Sequence, residues 1–262
     1  MINVNSNLAS LKVITAFNDS QDNLSKALQR LSTGLRVNSA KDDPGGLAVS
    51  MRLNAQIARK NAVYNEVNNA ASFLDTQDGV MDAAYNVLLR MSSIAASAED
   101  ANTSDLPAYQ TEYDALEEEL LGYTNEQFNG QDMFSNGSVI SVSTSENSSQ
   151  TASITLAALE TDVYNVVNGQ NVSSASSAIT TAINNLAELR ARNGAEQNRF
   201  ERAANVLDAG IINLTAANSR IMDADVALES VNMTKYDILN QSSLAMLVQA
   251  NQSKENILLL LK

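Results

Sequence analysis

The chain has 262 residues, 44% of them hydrophobic, with two prolines, ten glycines, no cysteine and no histidine. That length supports a substantial core in one or two domains, and the missing residue types exclude disulfides, thiolate metal sites and histidine general bases. The net charge of −13 sits in the middle. Residues 1–43 carry five basic and four acidic groups and residues 220–262 carry four and five, while nothing basic lies between Arg90 and Arg190, so the surface should repel phosphate backbones.

Taken in chain order, residues 1–17 interleave Asn and Ser with apolar residues, which is not the pattern of a cleaved signal peptide. The longest apolar runs, 244–248 and 257–261, are five residues each, far short of the roughly 20 that span a bilayer. Leu24, Leu28, Leu31 and Leu35 step by four, three and four, the spacing of one helix face. A longer heptad seam follows through Leu53, Ile57, Lys60, Tyr64, Val67, Ala71, Leu74, Asp78, Met81, Tyr85, Leu88, Ser92 and Ala95. It predicts a helix over 47–100, about 80 Å long at 1.5 Å per residue, in which Gly79 costs roughly 1 kcal/mol against Ala. Leu106, Tyr109, Tyr113, Leu116, Leu120 and Tyr123 form a third, shorter seam, with Pro107 in its first turn and Ser104 or Asp105 as cap. The acidic run Glu117-Glu118-Glu119 reads as a solvated face, since adjacent helical residues point in different directions.

Composition then shifts. Residues 136–177 are rich in Ser, Thr, Asn and Val, and the β-branched stretches 138–144 and 151–156 flank a polar turn at 145–150, which predicts a small hairpin. Helical spacing returns along Ile179, Ile183, Leu186, Arg190, Asn193, Gln197, Phe200, Ala204, Leu207, Ile211, Leu214, Asn218 and Ile221. Its polar centre reads either as a register-fixing layer or as a bend at Gly194. Leu244, Leu247 and Val248 form a last stripe before the leucine run that contains Leu258. The fold class is mainly α: a long antiparallel coiled-coil helical rod with a small β-hairpin region near 136–177 and both termini helical at one end. Terminal stripes of this kind are not fully buried within one copy, and such stripes mark an oligomer contact.

Residues 29–43 read QRLSTGLRVNSAKDD, which closely resembles the most characteristic stretch of bacterial flagellins. Residues 219–262 resemble the flagellin carboxyl-terminal pattern almost throughout, including Asp223-Ala224-Asp225, residues 248–252 and the closing leucines. Phe128-Asn129-Gly130 and GAEQNRF at 194–200 match two further flagellin motifs. The resemblance covers roughly 1–135 and 178–262. It departs at Pro44-Gly45-Gly46, where many relatives carry small Ala-rich residues, a change expected to tighten the turn before the long helix.

The resemblance implies a subunit that self-assembles into the flagellar filament, exported to the cell exterior without a cleaved signal and lacking the variable outer domains. It implies an inner-core domain from 1–43 and 222–262 and a rod domain from 44–221. Assembly would rest on Leu24, Leu28, Leu31, Leu35, Arg36, Leu244, Leu247, Val248 and Leu258. Arg36, Lys41, Asp42 and Asp43 read equally as a surface ion-pair cluster or as inter-subunit contacts. The expected partners are further copies of the chain, an export chaperone at the carboxyl-terminal tail, and the filament cap and hook-junction proteins. No cofactor, metal, nucleic acid or membrane insertion is expected.

Many flagellins are also recognised by Toll-like receptor 5 through a helix reading approximately LQRVRELAVQ. The aligned residues 88–97 here read LLRMSSIAAS. That implies weak recognition through Arg90, Ile94 and Glu112. The zinc peptidase carried by some flagellins fails on composition, because it needs an HExxH pair and the chain has no histidine. A hook–filament junction protein and a secreted coiled-coil protein are the structural alternatives.

Overall fold

The computed structural model describes residues 7–99, 101, 105–135, 137–147, 149–156, 158–159 and 172–260, without the side chains of 172–174 and 256–260. Helices α1 (Leu8–Thr33), α2 (Pro44–Glu99) and α3 (Leu106–Thr124) precede two hairpins, β1–β2 (Gln127–Phe128, Gln131–Asp132) and β3–β4 (Val139–Ser143, Thr151–Thr155). Helices α4 (Val172–Met222) and α5 (Val226–Leu260) complete the described elements. The chain divides into two compact units, Gln56–Ile212 and the two ends, Met1–Ala55 with Asn213–Lys262.

The unit Gln56–Ile212 holds the main core. Every position of the 53–95 seam that falls in it is buried or half-buried, as is every such position of the 179–221 seam. The two helices run antiparallel there, since α4 numbers rise as their α2 partners fall: Arg190 bonds Asp78 and Asn193 bonds Leu74. Phe200, Leu74, Met81, Met91, Leu207 and Tyr113 are sealed from solvent. Such interiors gain roughly 1.5–3 kcal/mol for each large apolar side chain buried.

The polar centre of the α4 seam is a satisfied layer rather than a bend, and α4 runs unbroken through Gly194. The Arg190 guanidinium donates to both Asp78 carboxylate oxygens at 2.9 and 3.2 Å and to Asp82 at 2.8 Å. The buried Asn193 amide donates to the Leu74 carbonyl at 3.1 Å and to Gln77 Oε1 at 2.9 Å, and Gln77 donates to the Met133 carbonyl. Sliding either helix by one turn would strand these groups, which is how a polar layer fixes register.

The β3–β4 hairpin pairs Val139 with Thr155 through Ser143 with Thr151, within the stretches expected from sequence. Ile154, Ala152 and Val142 face the core. Its tip is tied to α2 by Arg59, which donates to Glu146 at 2.6 Å, and to α4 by Arg199, which donates to the Thr151 carbonyl. The β1–β2 hairpin was not anticipated as a hairpin. Asn129 (φ 50°) and Gly130 (φ 78°) both take the left-handed conformation that closes a two-residue turn. Phe128 then meets Phe73 edge-on, ring centroids 5.8 Å apart.

Helix α2 begins three residues earlier than its seam implied, and Pro44-Gly45-Gly46 form its first turn rather than a turn before it. Proline is suited to a first helical position, where its missing N–H has no intrahelical partner. The Asp43 carboxylate accepts the Gly46 N–H at 2.8 Å, and a Cβ on Gly46 would collide with that carboxylate. The third seam is as expected, with Tyr113 and Leu120 in the core and Asp105 at the N-cap position of α3. Ser104, the other cap candidate, lies outside the described residues.

Candidate assembly surface

In the terminal unit, α1 and α5 pair antiparallel along a heptad seam. Asn7 donates to the Ala250 carbonyl, Asn240 donates to Gln21 Oε1 at 3.0 Å, and Arg30 donates to Glu229 at 2.9 Å. The inward positions step by three and four: Ser10, Val13, Phe17, Ser20, Leu24, Ala27 and Leu31 on α1, and Glu229, Met233, Tyr236, Asn240, Ser243, Leu247 and Ala250 on α5. Among the described α1 and α5 side chains, those buried outright are Ser20, Ala27, Glu229, Asn240 and Ser243, of which Ala27 alone is apolar.

Many bulky apolar residues face the other way. Leu8, Leu11, Ile14 and Leu28 on α1 are exposed, as are Val226, Leu228, Val231, Ile238, Leu239, Leu244, Met246 and Val248 on α5. A soluble coiled coil would place these side chains inward and the serines and asparagine outward. This pair keeps Val13, Phe17, Leu24, Leu31, Met233, Tyr236 and Leu247 half-buried in its seam and turns a second set of apolar residues outward, and a surface so apolar marks a contact with another macromolecule.

The sequence-assigned assembly residues therefore separate. Leu28, Leu244 and Val248 are about half exposed, at 49%, 50% and 56%. Leu24, Leu31 and Leu247 are half-buried positions of the α1–α5 seam, and Leu35 is half-buried beyond the end of α1. Leu258 has its side chain outside the described residues. The seam was missed at sequence level because stepping from leucine to leucine selects Leu28 where the true heptad takes Ala27, and skips Ser20, Asn240 and Ser243 altogether.

Arg36 works within the chain. Helix α1 ends at Gly34, whose left-handed φ of 71° directs its N–H to the Arg30 carbonyl. The following strand-like segment joins the end of α4. The Arg36 N–H donates to the Met222 carbonyl, its guanidinium donates to the Ile221 carbonyl at 2.6 Å, and the Ala224 N–H donates to the Gly34 carbonyl. Asp225 then caps α5, accepting from the Ala227 and Leu228 N–H groups. The two most distinctive sequence stretches, 29–43 and 219–225, thus hold each other by backbone bonds. Asp42 folds back on its own loop, and the Ser39 hydroxyl and N–H hold its carboxyl below the usual carboxylate range.

Arg90 is exposed and donates to the Glu112 carboxylate at 2.8 Å. Ile94, grouped with them from sequence, is 2% exposed and belongs to the core, so its side chain is not offered to a receptor. The cause is a wider buried arc on α2 than one heptad seam predicts, because α3 and the hairpins also pack on this helix.

Residues 4–139 match the bacterial flagellin N-terminal helical region, and residues 176–261 match the bacterial flagellin C-terminal helical region. The chain belongs to the bacterial flagellin family. It is 31% identical to a flagellin of Bacillus subtilis (strain 168) over 99% of both chains, and 34% identical to a flagellin of Halalkalibacterium halodurans over 90% of this chain and 91% of that one. It is 31% identical to the flagellar filament 30.7 kDa core protein of Treponema maltophilum over 98% and 99%. A crystal structure of Bacillus cereus flagellin matches 59% of this chain and 94% of its own at a TM-score of 0.51 and 25% identity. A family member whose middle segment is this short lacks the outer domains, and the chain is a structural subunit of the flagellar filament. Among the described residues no helix is long and apolar enough to cross a membrane.

Proposed function

We propose that the subunit polymerises by burying the outward apolar residues of α1 and α5 against further copies of itself, with 1–43 and 222–262 as the inner-core domain of the filament and 44–221 as its rod domain. The observation that carries this is the set of bulky apolar residues that α1 and α5 leave exposed. Each exposed Leu or Val transferred fully from water would contribute about 1.5–3 kcal/mol, and contacts that repeat without closing generate a helical filament. Leu28 on α1 and Leu244 and Val248 on α5 contribute through direct contact between copies, with Leu258 further along α5. Leu24, Leu31 and Leu247 hold the α1–α5 pair together, and Leu35 and Arg36 fasten the junction. The role is structural rather than catalytic.

In this reading the subunit reaches the extracellular filament without a cleaved signal, a chaperone covers the apolar tail before export, and cap and hook-junction proteins meet the same surfaces at the filament ends. The near full-length likeness to flagellins favours the filament itself over the hook–filament junction. Replacing both Leu244 and Val248 by Asp should leave monomer helicity and melting unchanged, because both side chains are already exposed, and should abolish seeded filament growth. Normal filaments from that variant, seen by electron microscopy, would refute the proposal.

Toll-like receptor 5 recognition, if carried by this surface, rests on Arg90 and Glu112 with Ser92 and Ser93 beside them. Serines in place of an arginine and a glutamate forgo charge-assisted bonds worth on the order of 1–3 kcal/mol each where buried. A reporter-cell titration should show weak activation that Arg90→Ala lowers further. Full potency, unchanged by Arg90→Ala, would contradict this.

A further inference from the structure

The motif Phe128-Asn129-Gly130 takes no part in the terminal surface, and it borders a groove of about 410 Å³ whose lining lies wholly within Gln56–Ile212. Glu66, Asn69 and Phe73 line the groove from α2, where their spacing of three and four puts them on one helix face. Phe128, Asn129 and Gln131 line it from the β1–β2 hairpin, and Ile140, Val142 and Ile154 from β3–β4. The apolar part is firmly held. Phe73, Val142 and Ile154 belong to the core, and Phe128 meets Phe73 edge-on at 5.8 Å. The polar part is free. The exposed side chains of Glu66, Asn69, Asn129 and Gln131 make no hydrogen bond or ion pair with another described residue, and neither does that of Ser141, which also lines the groove. The turn needs Asn129 for its left-handed backbone, φ 50°, and leaves the amide unused.

A concave site of this volume, with an apolar floor and a few convergent polar groups, has the make-up of a small-ligand site. Its lining narrows the ligand class. The groove carries the Glu66 carboxylate and no Lys or Arg, so phosphate and carboxylate ligands are repelled. A hydrocarbon would cover the three carboxamides and the serine without pairing them, which forfeits their hydration. A sugar ring satisfies both halves. Its C–H face packs on an aromatic ring, whose own face is electronegative, and its hydroxyls donate and accept as carboxamides and serine do. We propose that this groove binds a neutral oligosaccharide, with one ring stacked on Phe128 and its hydroxyls held by Asn69, Asn129 and Gln131, while Glu66 accepts from a further hydroxyl. The site is separate from the helices of the assembly surface and does not rest on that reading.

The full-length subunit is titrated with maltotriose, cellotriose and N,N′-diacetylchitobiose, followed by saturation-transfer NMR on the sugar and by amide shifts on the protein. At least one of these saccharides should bind with a dissociation constant on the order of 1 mM or tighter. Saturation should reach its ring C–H protons, and the shifts should cluster at 66–73, 128–131 and 140–142. Phe128→Ala should weaken binding about tenfold, through loss of the stacking surface. Asn69→Ala and Gln131→Ala remove exposed side chains that the fold does not use, and each should weaken binding roughly three- to tenfold, the factor of one hydrogen bond. Glu66→Gln keeps an acceptor for a hydroxyl and should change affinity by less than about threefold, and added salt should change it little, because no ion pair is formed.

Failure of all of these saccharides to bind at concentrations on the order of 10 mM would overturn the proposal. So would binding that survives unchanged in the Asn69→Ala, Gln131→Ala double variant, since the sugar would then sit elsewhere. Where Phe128→Ala disturbs the packing of Phe73, that double variant carries the test alone. An oligolysine peptide is titrated in parallel. If it binds in place of the sugars, and is released by salt and by Glu66→Gln, the groove takes a basic partner and the proposal falls.

Discussion

The unit Gln56–Ile212 and the paired ends of the chain are both built of antiparallel helices with heptad spacing, yet they differ in how many bulky apolar residues they leave in water. In the first, Phe200, Leu74, Met81 and Leu207 are sealed inside, and the polar layer of Arg190, Asn193 and Gln197 finds partners on α2 or within α4. On α1 and α5 of the second, the described side chains buried outright are Ser20, Ala27, Glu229, Asn240 and Ser243, and Leu8, Leu11, Ile14, Leu28, Val226, Leu228, Val231, Ile238, Leu239, Leu244 and Val248 face solvent. Heptad spacing alone does not say which helix face is for the chain itself and which is for its neighbours.

The comparison is broken most severely by large-to-small substitutions. Phe200→Ala should destabilise the isolated subunit by about 3–5 kcal/mol through lost transfer energy and a residual cavity, read as a fall in melting temperature. Leu28→Ala, a truncation of similar kind on the terminal unit, should change monomer stability by less than about 0.5 kcal/mol because the side chain is already half in water, while weakening the filament. Equal losses at the two sites would show that the ends are packed as tightly as the core.

A smaller effect sharpens the contrast from the acidic side. Glu196 lies at a cavity of about 60 Å³ lined by Gln77, Met81, Phe134, Arg192 and Asn193. Burial pushes its carboxyl above the usual range, an effect only partly offset by a backbone bond from Thr155 and by Arg199 and Arg192. With the folded-state pKa above the unfolded one, stability is greatest below the unfolded value. It declines as pH rises through the interval between the two and is level above it. Glu196→Gln should therefore stabilise the subunit at neutral pH by about a few tenths of a kcal/mol, the scale of half-solvated charges, and have no such effect below pH 4. A pH series of thermal melts checks this, and a benefit confined to low pH would reverse the sign of the argument.

The sequence by itself determined the helices, the β3–β4 hairpin, the family and the assignment of three seams to the core. Those rest on local periodicity and on the motif stretches 29–43 and 219–262, which need no distant contact to be read. The layer at Arg190 and Asn193 was legible as polar, but its partners Asp78, Gln77 and Leu74 lie more than a hundred residues away, so only packing decided between a register device and a bend. Tertiary structure also decided which face of α1 meets α5. A leucine count favours Leu28, whereas the antiparallel register set by Arg30–Glu229 and Gln21–Asn240 selects Ala27 and Ser20 and turns Leu28 outward. It placed Ile94 inside, because α3 and the hairpins widen the buried arc of α2 beyond a single seam. The physical reason is common to all three. Periodicity records which residues avoid water, while the side that does the covering is fixed by chain segments remote in sequence, or by another copy of the chain.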